Sequence, residues 1–211
     1  MAELQKLYDA ILNGDSKASV AITEQALAEN VPPLDIITNY MIPAMDDVGK
    51  RFECEEYFVP ELLLAARAMK GCMQLVRPLL TASGAQPAGR VVIGTVKGDL
   101  HDIGKNLVAS LLEGGGFEVI DLGADVPAAK FIETVNEKNA NIVCLSALLT
   151  VTMPSMKSTI QAFRDAGIRD RIKVLVGGAP LTQQFADEIG ADGYSENASG
   201  AVALARRMVS A

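Results

Sequence analysis

Up to about Leu80 the apolar positions recur at the three- and four-residue spacing of amphipathic helices. Leu4, Leu7, Tyr8 and Ile11 form the first stripe, and Leu34, Ile37, Met41, Met45, Val48 and Phe52 form another. Leu62, Ala66, Met69, Met73, Val76 and Leu80 form a third. Asn13-Gly14-Asp15, Asn30 to Pro33 and Glu53 to Pro60 interrupt the pattern with turn-forming residues. These stripes and breaks predict about four helices in an antiparallel bundle over residues 1–81. Pro43 lacks an N–H donor and is expected to kink or restart the third helix. Residues 82–89 are small and polar without periodicity, which predicts a linker and a domain boundary.

From residue 90 to 211 the period changes. Short β-branched runs, Val91 to Val96, Phe117 to Leu122, Ile142 to Leu145 and Ile172 to Val176, alternate with helical stretches, and a weaker run lies at Gly193-Tyr194. Strand, helix, strand at this spacing predicts right-handed βαβ units and a parallel sheet covered on both faces. Five strands suggest a flavodoxin-like order, so the fold class is a helical bundle followed by an α/β domain. Ligands of such sheets sit beyond the carboxyl ends of the strands, where strand order reverses.

Composition narrows the function. The 211 residues carry 19 basic and 26 acidic side chains, a net charge of -7, with no Lys/Arg run longer than a pair. A nucleic-acid partner is therefore disfavoured. Three widely spaced cysteines, Cys54, Cys72 and Cys144, read as reduced thiols that fill apolar space. Met1 leads directly into an amphipathic segment, and no apolar run approaches the roughly 18 residues of a membrane span. The expectation is a cytoplasmic protein without a membrane partner.

The first strand runs into Lys97-Gly98-Asp99-Leu100-His101-Asp102-Ile103-Gly104-Lys105-Asn106 and then an apolar helix. A phosphate loop does not fit, because five residues separate Gly98 from Gly104 instead of four and Asn106 stands where a Mg²⁺-binding hydroxyl belongs. A dinucleotide fingerprint is absent from this turn, and Gly114-Gly115-Gly116 reads as a helix stop. A phospho-receiver would need an aspartate where Cys144-Leu145-Ser146 ends the third strand. One histidine and scattered cysteines cannot form an ordinary zinc site. Ser146 near His101 without a nucleophile elbow makes a weak hydrolase candidate. Two readings of His101 stand at this point. Either it is solvated while a neighbouring aspartate caps the next helix, or Asp99 holds one ring nitrogen and leaves the other for a metal.

The run Gly94 to Asn106, containing Asp-x-His-x-x-Gly, closely resembles the cobalamin-binding region of methionine synthase and of the small corrinoid proteins of methyltransferase systems. Asp121-Leu122-Gly123, Ser146-Ala147-Leu148, Val176-Gly177-Gly178-Ala179 and Tyr194-Ser195-Glu196-Asn197-Ala198 extend the likeness, each at a strand end. Val48-Gly49-Lys50-Arg51-Phe52 with Tyr57-Phe58-Val59-Pro60 resembles the helical cap module of the same proteins. The resemblance covers nearly the whole chain. It implies a cobalamin bound base-off and histidine-on, with His101 as the lower axial ligand of cobalt, Asp99 on the other imidazole nitrogen, and Thr152 extending the relay where methionine synthase has serine. It implies cofactor contacts from the motif residues Gly98, Leu100, Asp102, Ile103 and Gly104, and from Leu148. Ser146, Thr150, Gly177, Gly178 and Ala198 match residues along the buried nucleotide tail. Phe52 and Val59 match the cap residues that cover a cobalt-bound methyl group.

The implied function is that of a corrinoid methyl carrier cycling between cob(I)alamin and methyl-cob(III)alamin. A substrate-specific partner methyltransferase would donate the methyl group, and a second methyltransferase would pass it to tetrahydrofolate or to a thiol. A reductive activase would rescue oxidised cofactor. The chain would be a carrier subunit and not a complete enzyme alone. A cobalamin-dependent light or ligand sensor is the rival reading, disfavoured by the acidic chain and by the bundle at its start. A carbon-skeleton mutase module would not need residues 1–80. Methylamines, methanol, quaternary amines and aryl methyl ethers all remain open as donors.

Overall fold

A computed structural model of the chain describes residues 3–82 and 87–209. By spatial contact the chain divides into two compact units, residues 1–87 with 113–116, and residues 88–112 with 117–211. The first unit is helical: α1 (Leu4–Leu12), α2 (Ser16–Ala28), α3 (Pro33–Ile36), α4 (Ile42–Glu53) and α5 (Val59–Ala82). Asp15 starts α2 by accepting the Ala18 N–H at 2.9 Å, which satisfies one of the amides a helix leaves free at its first turn. Between α3 and α4 the backbone forms a π-helical turn over Ile37–Met41. Pro43 cannot donate to the ladder, and the wider turn re-registers the hydrogen bonds just ahead of it, so the expected kink takes this form. Leu7, Ile11, Ile36, Met41, Leu62 and Met69 are fully buried and form the centre of this unit. Of the linker expected over 82–89, Ala82 closes α5, residues 83–86 lie outside the described residues, and 87–89 lead into the first strand.

The second unit runs β1 (Arg90–Thr95), α6 (Ile103–Gly114), β2 (Glu118–Asp121), α7 (Ala128–Lys138), β3 (Ile142–Ser146), α8 (Met153–Asp165), β4 (Lys173–Gly177), α9 (Gln183–Ile189), β5 (Gly193–Tyr194) and α10 (Ala198–Val209). The five strands are parallel in the order β2-β1-β3-β4-β5, the flavodoxin-like arrangement. The chain reverses direction across the sheet between β1 and β3, so the loops following those two strands border the crevice in which α/β sheets bind ligands. Register places the last residues of three strands side by side, Thr95 against Ser146 and Ser146 against Gly177.

One face of the sheet is closed by Phe131 of α7 and Phe163 of α8, whose rings meet edge to face at 6.4 Å. Gly94 on β1 makes room for the first of them, since a Cβ there would stand 2.8 Å from the Phe131 ring. No helix among the described residues is long and apolar enough to cross a membrane. All three cysteines are free. Cys72 and Cys144 are buried, and burial pushes the Cys144 thiol up to about 12. Cys54 departs from the expected filler role, because it lies exposed where α4 ends. Truncating the fully buried Phe131 to alanine is expected to destabilise the second unit by about 3–5 kcal/mol, read from the midpoint of its urea transition.

Candidate functional site

The loop after β1 and the loop after β3 are laced together through one carboxylate. Asp99 is fully buried. Its Oδ1 accepts the His101 backbone N–H at 3.0 Å and lies 2.8 Å from the ring Nδ1 of the same residue. Its Oδ2 accepts the backbone N–H groups of Leu148 at 2.8 Å and Leu149 at 3.3 Å, and the Thr152 hydroxyl at 2.7 Å. Burial alone would raise the Asp99 pKa. The hydrogen bonds from Thr152, from the His101 and Leu148 amides and from the imidazole outweigh that and hold the carboxyl well below the usual aspartate range.

The backbone around this carboxylate is equally constrained. The Asp99 N–H donates to Val96 O at 3.1 Å, and its carbonyl accepts from Asp125 N at 2.9 Å. The Asp125 carboxylate in turn accepts the Gly98 N–H at 2.7 Å, and Gly98 has a φ of +89°, which glycine adopts without strain. Thr95, the last residue of β1, donates its hydroxyl to the His101 carbonyl at 2.9 Å. The imidazole is thereby fixed while its side chain stays 49% exposed. With the proton of the ring on Nδ1 and directed at Asp99, the tautomer the network calls for, Nε2 carries a free lone pair at the open side.

A single imidazole nitrogen cannot hold a bare metal ion, but it can occupy one axial position of a metal whose equatorial ligands come from a macrocycle. The surroundings fit such a flat apolar group. Leu100 and Ile103 are 75% and 83% exposed, and Leu148, Leu149 and Val151 also present side chains to solvent. An apolar rim of this kind at the mouth of a site marks a ligand surface rather than a core. Gly104 has nothing within 4 Å of where a Cβ would stand and no positive φ, so the fold itself does not require glycine there.

The other residues singled out in the sequence fall into four groups. Ser146 ends β3 beside Thr95 and Gly177, Thr150 is exposed in the loop between β3 and α8, and Asp102 accepts the Asn106 side-chain amide at 3.1 Å. Gly178 has a φ of +141° and a Cβ there would lie 1.9 Å from the Ala147 carbonyl, so its glycine already serves the protein's own backbone. At Gly177 a Cβ would meet only Ser195 O at an ordinary 3.5 Å, and no close approach within the chain demands glycine. Ala198 is buried at the start of α10, just beyond Asn197, whose side chain accepts the Gly200 N–H at 2.7 Å. Phe52, half-buried in α4, and Val59, exposed at the start of α5, belong to the first unit.

Sequence reasoning missed Thr95, Asp125 and the amides of Leu148 and Leu149. Backbone donors leave no residue-type signal, and only the position of Thr95 at a strand end pointed to the site. It also left Lys105 unexplained. That ammonium is buried, paired with Asp121 and donating to the Asn106 side-chain oxygen at 2.6 Å, so the glycine-lysine pair that imitates a phosphate loop belongs to an internal ion pair.

Comparison with known proteins identifies the family. Two families, each described as a B12 binding domain, match residues 3–77 and 89–203. The chain is 44% identical over 208 residues to the dimethylamine corrinoid protein of Methanosarcina barkeri, covering 98% of this chain and 97% of that one. It is similar to the crystal structure of a cobalamin-binding protein from Desulfitobacterium hafniense, with a TM-score of 0.80 and 33% identity over 99% of both chains. It is also similar to a chain of the methanol:cobalamin methyltransferase complex from Methanosarcina barkeri, with a TM-score of 0.86 and 28% identity over 98% of this chain and 79% of that one.

The depressed Asp99 pKa sets a pH dependence. A folded value below the ordinary 3.8 means that the charged form contributes stability above pH 3.8, and that this contribution fades as pH falls through the lower folded value. In the corrinoid-free protein, Asp99→Asn is expected to lower the urea-unfolding free energy at pH 7 by about 2–3 kcal/mol. The difference from the unsubstituted protein should narrow as the titration is carried below pH 3.8. A gap that stays constant with pH would show that the charge contributes nothing.

Proposed function

The chain belongs to the family of corrinoid proteins built on B12 binding domains, and from that premise we propose that it is a methyl carrier holding its cobalamin base-off and histidine-on. The observation that supports this reading most directly is the His101 imidazole, fastened at Nδ1 by buried Asp99 with Nε2 left free and surrounded by exposed apolar side chains. When bound, the corrinoid supplies cobalt that accepts and releases a methyl group with a two-electron change of oxidation state.

The protein's own residues then have distinct tasks. His101 would offer Nε2 to the metal. Asp99 orients the ring and balances the charge it acquires, and Thr152 feeds a hydrogen bond to Asp99 so that a proton on this relay is shared over three groups. Gly98, Leu100, Asp102, Ile103, Gly104 and Leu148 would contact the macrocycle. Ser146, Thr150, Gly177, Gly178 and Ala198 would accommodate the nucleotide tail, and the part of Phe52 and Val59 would be to keep water from the methyl group.

A carrier works between partners. The 44% identical relative bears the name of a dimethylamine corrinoid protein, which supports a methylated amine as the donor, activated on a separate methyltransferase. The solved methanol:cobalamin methyltransferase complex supports direct docking with such a subunit. A second methyltransferase that delivers the group to tetrahydrofolate or a thiol, and a reductive activase, complete the proposed set.

Two measurements test the reading. Reconstituted with hydroxocobalamin and reduced to the cobalt(II) state, the protein is expected to show the hyperfine splitting of a histidine nitrogen by electron paramagnetic resonance. His101→Ala is expected to keep corrinoid but lose that splitting, and retained dimethylbenzimidazole coordination in the unsubstituted protein would overturn the histidine-on assignment. Thr152→Val keeps the shape and removes the hydroxyl, and it should weaken corrinoid retention or slow methyl transfer roughly 10-fold. For the carrier role, a methylamine-specific methyltransferase is expected to methylate the bound cobalt stoichiometrically and reversibly. No methylation by any methyltransferase of this class would sink that role.

A further inference from the structure

Among the described residues two charged side chains are buried, Asp99 and Lys105, and they stand on either side of His101 in one short segment. Asp99 is accounted for by the imidazole it holds. Lys105 has no such contact, and its helix gains nothing from it. It is the third residue of α6, where a cation meets the positive end of the helix. Its side chain is 1% exposed, so the ammonium has also given up its water. An apolar side chain of similar length would fill the same space without either cost, since well-packed apolar residues commonly replace buried ion pairs with no loss of stability.

The ammonium does have two partners, and both lead back to His101. On one side it donates to Asn106 Oδ1 at 2.6 Å, and Asn106 Nδ2 donates to Oδ2 of Asp102, the residue after His101, at 3.1 Å. On the other side it pairs with Asp121 at the end of β2. Oδ1 of Asp121 accepts the Gly123 N–H at 2.8 Å, and the Gly123 carbonyl accepts the Thr95 N–H at 2.9 Å. Gly123 has a φ of +81°, which glycine adopts without strain and which lets one residue serve both contacts. Thr95 completes the circuit by donating its hydroxyl to the His101 carbonyl at 2.9 Å. All of these residues belong to the second unit.

The circuit holds the end of His101 that Asp99 does not reach. Asp99 fixes the ring at Nδ1 and the backbone N–H. Thr95 holds the carbonyl, and Asn106 holds the residue that follows. A side chain is presented rigidly only when its own backbone is fixed at both ends.

We propose that Lys105 is a positioning residue for His101: its buried ammonium ties the end of β2 to the first turn of α6 and so braces the His101–Asp102 backbone behind the imidazole. The inference rests on the metal-ligand reading of His101 above, and it adds what secures the backbone of that ligand.

The test compares Lys105→Met with a double variant, Lys105→Met combined with Asp121→Leu. The single change keeps the length of the side chain and leaves Asp121, which is 37% exposed, in reach of water. The double change leaves no unpaired charge, so it should recover the urea midpoint of the unsubstituted protein, and it carries the test should the single variant not fold. In corrinoid-free protein the Gly123 amide is expected to exchange about 10-fold faster in either variant, the effect of losing one hydrogen bond to a charged group. In protein loaded with hydroxocobalamin and reduced, the bond of the imidazole to cobalt(II) should weaken by the same factor. Cobalt(I) keeps no axial ligand, so the potential of the cobalt(II)/cobalt(I) couple should rise by about 59 mV, which is 10-fold for one electron. Arg169→Met is the control. It breaks the partly buried ion pair with Asp192, which joins the segment before β4 to the one before β5, and is expected to leave the potential as it was.

A histidine-nitrogen splitting in the unsubstituted protein together with an unchanged potential in both Lys105 variants would overturn the brace and leave the ligand reading standing. A double variant that recovers the potential along with the urea midpoint would reduce Lys105 to a stability role and overturn the inference. So would an Arg169→Met protein whose potential rises equally, or unchanged exchange at Gly123. Absence of the splitting in the unsubstituted protein would overturn the ligand reading, and the inference with it.

Discussion

The second unit depends on the burial of one carboxylate. Asp99 is out of water, and an isolated buried charge would be strongly unfavourable. It is tolerable because five donors converge on its two oxygens: two from His101, one each from Leu148 and Leu149, and the hydroxyl of Thr152. None of these donors can be moved without leaving the charge undersatisfied. The loop after β1, the loop after β3 and the N-terminus of α8 are thus tied to one another through this carboxylate.

The doubly wound sheet makes that convergence possible. With β1 central and β2 and β3 on either side, the two loops that share Asp99 leave adjacent strands at the same edge. The register of Thr95 against Ser146 brings them level, and Val96 adds a further tie by donating to the Ser146 carbonyl at 3.0 Å. Behind them Gly178 brings the next loop against Ala147 so closely that no side chain fits between. Rigidity of this kind suits the metal-ligand role proposed for His101, since a ligand nitrogen must sit within a fraction of an ångström of its place.

How much of this was legible depends on what kind of group carries each contact. The helical stripes of residues 4–80 and the β-branched runs from Val91 onward follow directly from side-chain periodicity, and the parallel order follows from strand and helix alternation. The π-helical turn before Pro43 was legible only as a kink, because periodicity does not show which hydrogen bonds are re-registered. Asp99 and His101 were legible as a pair, being two residues apart in a glycine-flanked loop. The amides of Leu148 and Leu149 were not, since a backbone donor has no residue-type signature. Gly178 was read as a contact for a ligand, and the structure shows a second and sufficient reason in the Ala147 carbonyl. Cys54, taken as filler, is exposed because it follows the last turn of α4, where the apolar stripe has already ended at Phe52.

At Thr152 the hydroxyl that the proposed relay calls for is held between two acceptors. Its hydroxyl lies 2.7 Å from Asp99 Oδ2 and 2.8 Å from Leu149 O, with one proton to give. A serine could rotate freely between such acceptors. The branched side chain of threonine restricts χ1, so the hydroxyl stays between the two and either acceptor can take the proton without a rotamer change. The polar half of the site is therefore satisfied within the protein, while the apolar half, Leu100, Ile103 and Val151, stands open to a ligand. That combination suits the proposed carrier, which needs a rigid polar anchor beside an open apolar surface.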